Sequence, residues 1–271
     1  MTACRPERSA QRGVEGFCAA SAVGLFDMHC HLDFAPDALT AARGMAAYGM
    51  GAFSVTVTPR GYERATELLE ACDAVRVGLG LHPWWIADGS CDERDVAQFE
   101  RLAAGERFIG EVGLDFAGDR AAAREAQVAA FGRVAQACAG GGKVLSIHAV
   151  RAAGEVLDVL EGAGALAENA CIFHWFSGTS DELQRALREG SFCSVNPRML
   201  ASKRGRAYAQ AVPAERLLLE TDAPSKSGEP YDPAAEDARL AALLETLAAL
   251  RRTSLDELAD RIARTSRALL G

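Results

Sequence analysis

All five histidines of this chain fall in short motifs that read as strand ends. His29 and His31 stand in Asp27-Met-His-Cys-His-Leu32, His82 in Gly80-Leu-His-Pro83, His148 in Ser146-Ile-His148 and His174 in Phe173-His-Trp-Phe-Ser-Gly178. Gly110-Glu-Val-Gly-Leu-Asp115 and Glu220-Thr-Asp-Ala-Pro224 add carboxylates. Neutral imidazoles mixed with carboxylates form the ligand set of a divalent-metal hydrolase site. In a strand, residues i and i+2 share a face, so His29 and His31 project together while Cys30 turns toward the surrounding helices. Glu111 follows an apolar strand, where a charge is costly unless paired or metal-bound. Asp115, already in the loop, can orient a ligand from behind, and Glu220 shares a strand face with Asp222. Each motif alone has a plainer reading: structural histidines, a salt bridge for Glu111, a turn for Asp222. Together, six such groups at equivalent strand ends point to one site.

The elements that must position them follow a βα alternation. Strand-like runs are Leu25–Met28, Phe53–Val57, Val75–Leu81, Phe108–Val112, Val144–Ile147, Cys171–His174, Phe192–Val195 and Leu217–Glu220. Helical stretches lie between them, such as Arg124–Ala139 and Asp181–Arg188. A final pair spans about Pro233 to Leu270, broken near Thr253-Ser254, where Ser254 and Glu257 make a capping box. Such units in a chain of 271 residues predict an α/β fold, a single (β/α)8 TIM barrel over residues 23–271. Its active site is expected at the C-terminal ends of the strands, where every candidate ligand falls.

The composition is 49% hydrophobic, enough for a sizeable core, and the net charge of −8 gives no global positive field for nucleic acid. A phosphodiester substrate would be met locally. Arg151, Arg198, Lys203, Arg204 and Arg206 are the candidate phosphate contacts, and Asn196 either bonds substrate or caps the turn before Pro197. Trp84 and Trp85 stiffen the loop after His82; packing over the rim is favoured over stacking on a base. No apolar run reaches membrane-spanning length. Phe17–Phe26 faintly resembles a signal peptide, but Gly24 to Met28 reads better as the first strand. Residues 1–22 are expected to be a loose, flexible tail. None of the eight cysteines forms a Cys-x-x-Cys pair, which favours a reducing, cytoplasmic setting without disulfides.

The ordered motifs DxHxHL, GLHP, GExGLD, IH, HWFSG and ETDAP, over roughly residues 25 to 225, resemble the TatD family of metal-dependent deoxyribonucleases, within the amidohydrolase-like barrels. That resemblance implies metal ligands at His29, His31, Glu111, His148, His174 and Asp222, with His82 as a further active-site histidine. It also implies action on DNA, often from the 3′ end. Arg151 lies further from the strand-five histidine than the family's basic residue does. His174-Trp-Phe-Ser-Gly178 with Ser194-Val-Asn-Pro197 is similar to TatD-like proteins of bacterial antiphage cassettes, which implies cassette partners.

The resulting scheme has one or two divalent ions (Zn, Mn, Ni or Mg) with Glu111 bridging and Asp222 as ligand and general base. His82 assists the leaving oxygen, and Arg151, Asn196 and Lys203 contact substrate. Two other readings stay open: an amidohydrolase-like enzyme acting on an amide, ester or lactone, and a non-catalytic barrel binding nucleic acid or a partner. The sequence leaves the metal, the cleavage polarity and the oligomeric state open, a monomer included.

Overall fold

The computed structural model describes residues 24–271; the expected tail, Cys4 and Cys18 lie outside the described residues. Eight parallel strands run in chain order: β1 (Phe26–Cys30), β2 (Gly51–Val55), β3 (Val75–Leu81), β4 (Phe108–Asp115), β5 (Val144–Val150), β6 (Ala170–His174), β7 (Phe192–Val195) and β8 (Leu217–Leu219). The backbone joins the two ends of this sheet, His31 N to Ala223 O at 2.8 Å and Asp222 N to His29 O at 2.9 Å. The result is the predicted TIM barrel.

The intervening helices are α1 (Ala38–Ala47), α2 (Pro59–Leu69), α3 (Pro83–Ala87), α4 (Glu93–Ala103), α5 (Arg124–Ala137) and α6 (Ala153–Gly162). They continue as α7 (Ala165–Glu168), α8 (Ser180–Arg188), α9 (Pro197–Leu200), α10 (Lys203–Ala211), α11 (Pro233–Arg251) and α12 (Leu255–Leu270). Several begin on the side-chain caps that their sequences announce. Thr179 and Glu182 form a capping box for α8, and Asp92 with Asp95 does so for α4. Ser254 does precede α12, but the expected box is not made: its side chain caps nothing. Glu257 is drawn instead to Arg261 one turn on, at 3.0 Å.

Strand boundaries differ from expectation in ways that matter for the site. β4 extends to Asp115 because Gly113, Leu114 and Asp115 pair with His148, Ala149 and Val150 of β5. Asp115 is therefore a strand residue, not a loop residue. Gly113 permits this close approach at φ 145°, since a Cβ there would stand 2.0 Å from the His148 carbonyl oxygen. Register breaks interrupt β1 between Asp27 and Cys30, β3 between Leu79 and Leu81, and β4 between Ile109 and Val112. Each break lies at or just before a candidate site histidine or glutamate, where a bulge re-aims side chains.

Met28, Phe53, Val55, Val144, Ile172 and Leu218 fill the barrel interior below the site. Leu269 and Leu270 of α12 join this cluster and close the end opposite the site. Their carbonyls accept bonds from Arg107 (3.1 Å) and Arg76 Nε (3.0 Å). Full burial of one such leucine contributes roughly 1.5–3 kcal/mol. The six described cysteines are all free, and five of them are buried. Among the described residues no helix is long and apolar enough to cross a membrane.

Gly113→Ala is expected to lower stability by roughly 1–3 kcal/mol in chemical denaturation. Gly132→Ala in α5, where a Cβ meets nothing within 4 Å, should instead raise it by about 0.5–1 kcal/mol.

Candidate metal centre

Glu111 lies in the β4 bulge, buried at the base of a cavity of about 610 Å³ at the barrel mouth. Its two oxygens face different imidazoles. Oε2 stands 3.5 Å from His29 Nε2 and 3.4 Å from His31 Nε2. Asp222 Oδ1 completes that side, 3.6 Å from His29 and 3.7 Å from His31. Oε1 stands 2.7 Å from His148 Nδ1, 2.9 Å from His174 Nε2 and 3.2 Å from His82 Nε2. All five imidazoles thus converge on one carboxylate.

Burial opposes the charge on Glu111, but the surrounding histidines hold its pKa well below the ordinary carboxylate value. Burial likewise opposes protonated His31, yet the Asp222 and Glu111 carboxylates pull its pKa up to about 10. His174 is raised well above normal against its own burial, by Glu111 and then Glu220. His31 and His174 are therefore biased toward holding protons, positive charge of the kind a divalent cation would supply in their place, while His29 and His82 are biased toward the neutral form.

The donor set, imidazoles mixed with carboxylates, fits a divalent cation. His29 Nδ1 is bonded to Ser146 Oγ at 2.7 Å, and its Nε2 is buried with no hydrogen-bond partner, facing Glu111 and Asp222. His148 Nε2 is held by Asp115 Oδ2 at 3.1 Å, which turns Nδ1 toward Glu111 Oε1 at 2.7 Å. His174 Nδ1 faces Glu220 Oε1 at 3.8 Å. His29, His31 and Asp222 form one group that could hold an ion, Glu111 and His148 with His82 form a second, and His29, His174 and Glu220 a third. His82 differs: its Nδ1 accepts from Trp84 N at 3.2 Å, which puts the ring proton on Nε2. Burial pushes its pKa down to about 4, so the ring is neutral and aimed at Glu111, with which it also groups beside His148 as a possible ion-holding set.

Asp222 holds φ 57°, a left-handed conformation that costs a non-glycine residue of order 1 kcal/mol or more and marks functional sites. Its side chain is 18% exposed against 4% for Glu111, and both line the cavity.

The predicted substrate contacts fare unevenly. Asn196 is buried beneath the site, capping Met199 N at 2.8 Å and donating to Glu220 Oε1 at 2.7 Å, so it braces Glu220 instead of meeting substrate. Ser194 also donates to Glu220. Arg151 and Lys203 are exposed and do not line the cavity; extension of β5 to Val150 carries Arg151 past it, and Lys203 opens α10. The same holds for Arg204 and Arg206. The cations that do line it are Arg198, Arg120 and Lys226. Arg198 was among the candidates, whereas Arg120 and Lys226 sit in loops whose sequence carries no signal for them. Ser146, two residues before His148, was equally missed.

Residues 26–271 match the family described as TatD related DNase. The chain belongs to the TatD family. A 3′-5′ ssDNA/RNA exonuclease TatD from Erwinia amylovora is 31% identical over 204 residues, covering 71% of this chain and 76% of that one. An uncharacterized metal-dependent hydrolase, YabD of Bacillus subtilis, is 26% identical over 202 residues, 73% of this chain and 78% of its own. The crystal structure of YJJV, a TatD homolog from Escherichia coli, has a TM-score of 0.77 at 24% identity, covering 90% of this chain and 97% of that chain. Membership makes this TatD protein a metal-dependent hydrolase.

Asp115→Asn is expected to weaken metal binding by roughly 10–100-fold in equilibrium dialysis, with the fold intact by circular dichroism. Metal affinity should also fall as the solution is acidified, because His31 and His174 hold protons that the ion must displace. Calorimetry in buffers of differing ionisation enthalpy should show that proton release; its absence would contradict the protonated apo cluster.

Proposed function

We propose that this TatD protein is a deoxyribonuclease that shortens single strands from the 3′ end. The observation that carries the reading is the local charge at the mouth of an acidic chain. Arg198, Arg120 and Lys226 ring the cavity, and Arg198 Nη1 stands 3.9 Å from Asp222 Oδ2. Guanidinium groups beside a metal-ligating carboxylate suit a phosphodiester, whose oxygens they pair bidentately. An amide, ester or lactone would need no such ring. The named activity of the Erwinia relative, 3′-5′ ssDNA/RNA exonuclease, agrees with this. So does the cavity of about 610 Å³, which suits a strand end rather than the side of a duplex.

Bound divalent ions would polarise the phosphoryl group and acidify the attacking water. Asp222 accepts the proton of that water, since the histidines around it keep it ionised despite burial. The water oxygen bonds to phosphorus, the P–O3′ bond breaks, and solvent protonates the departing O3′. His82 Nε2 stands 3.2 Å from Glu111 Oε1, at the edge of the cavity that would receive the leaving group. Arg198 and Lys226 hold the non-bridging oxygens as charge grows on them.

With 5′-labelled single-stranded DNA, the metal-stripped protein should be silent and added Mn²⁺, Mg²⁺ or Zn²⁺ should produce a stepwise ladder. Asp222→Ala should lose roughly 10²–10⁴-fold in rate. Hydrolysis of p-nitrophenyl esters or lactones without any cutting of strands would overturn the reading.

A further inference from the structure

Among the described residues, four large hydrophobic side chains are conspicuously exposed: Tyr48, Leu68, Trp84 and Leu255. Only Trp84 lines the mouth cavity, and it is 42% exposed there. An exposed indole in a loose loop needs no explanation, but this one is held rigidly. Pro83 opens the short helix α3, and the Trp84 backbone N–H is tied to His82 Nδ1 at 3.2 Å. Its Nε1–H donates to Asp115 Oδ2 at 2.5 Å, and its ring meets His82 edge-to-face, with centroids 5.2 Å apart. Trp85 lies nearly parallel to it, 10° off with centroids 6.4 Å apart, and widens the aromatic wall.

The indole is also close to the chemistry. Asp115 Oδ2, which takes the Trp84 N–H, takes His148 Nε2 as well, and the other nitrogen of His148 stands 2.7 Å from Glu111. Two residues therefore separate the exposed ring from the bridging carboxylate. The Arg120 guanidinium lies 4.7 Å from the Trp84 ring centroid and pairs with Asp115 Oδ2 at 3.1 Å, so a cation suited to a backbone phosphate is held beside the indole. Rigid, half-exposed aromatics beside cations are how single-stranded nucleic acid is gripped without regard to sequence, because every base offers a π face.

We propose that Trp84 is the platform on which the base adjoining the scissile phosphate stacks, so that the enzyme prefers strand ends that carry bases over abasic ends. This rests on the phosphodiester reading above. The competing role for Trp84, a strut that only steadies Asp115, predicts no dependence on the base. A ring without the N–H separates the two, since Trp84→Phe keeps stacking and gives up the Asp115 bond.

The test is a cycle of enzyme against substrate, with kcat/KM measured on 5′-labelled single strands whose two 3′-terminal residues are either normal or reduced abasic sites. Wild type should lose roughly tenfold on the abasic end, the scale of one base–aromatic stack. Trp84→Leu should lose about as much on the normal end and nothing further on the abasic one, while Trp84→Phe restores most of the base dependence. Losses that multiply, or a wild type indifferent to the bases, would overturn the platform and leave the nuclease reading standing. A Trp84→Leu protein that fails to fold leaves the wild-type and Trp84→Phe arms to decide. A wild type that cuts neither substrate but hydrolyses an ester or lactone would overturn both readings.

Discussion

One buried carboxylate organises this molecule. Glu111 is nearly excluded from solvent, and every histidine of the chain touches it or lies within 3.5 Å of its oxygens. An ionised carboxylate placed so deep in protein is tolerated only when paired. The barrel supplies the pairing by bringing strand ends far apart in sequence to one mouth. The two oxygens of Glu111 face different imidazoles, so the cluster has two halves that meet at this carboxylate.

The layer behind the ligands explains why so many polar residues are buried in the upper barrel. Ser146 fixes His29, Asp115 fixes His148, and Glu220, itself gripped by Ser194 and Asn196, faces His174. Each outer partner sets which ring nitrogen is free to bind, and so prepares the site before any ion arrives. Asp115 has a further duty, since it also holds Trp84 Nε1 and pairs with Arg120 at 3.1 Å. One carboxylate thus ties the imidazole cluster to the aromatic and basic rim of the cavity.

Much of this was legible in the sequence for a simple reason: strand ends in a barrel need not be close in the chain, only equivalent in the repeat. The βα alternation fixed which ends converge, and the residue types at those ends named the chemistry. The bulges were not legible, because Met28-His29 and Gly110-Glu111 carry no local mark of a register break that only the neighbouring strand reveals. Basic residues in loops were the weakest reading. Arg151 and Lys203 looked no different from Arg120 and Lys226, and only the path of the backbone decides which pair reaches the cavity. For Asn196 the sequence offered two roles, since a strand-end amide before proline serves as a helix cap or a substrate contact with equal ease, and here it caps α9.

That Glu111 would bridge two ions is the proposal on which the rest depends, and electron paramagnetic resonance of the Mn²⁺-loaded protein tests it most directly. Two ions that share the Glu111 carboxylate are expected to give an exchange-coupled signal in wild type, replaced in Glu111→Gln by that of isolated ions. Only isolated-ion signals in fully loaded wild type, or coupling that survives in Glu111→Gln, would contradict a centre built around this carboxylate.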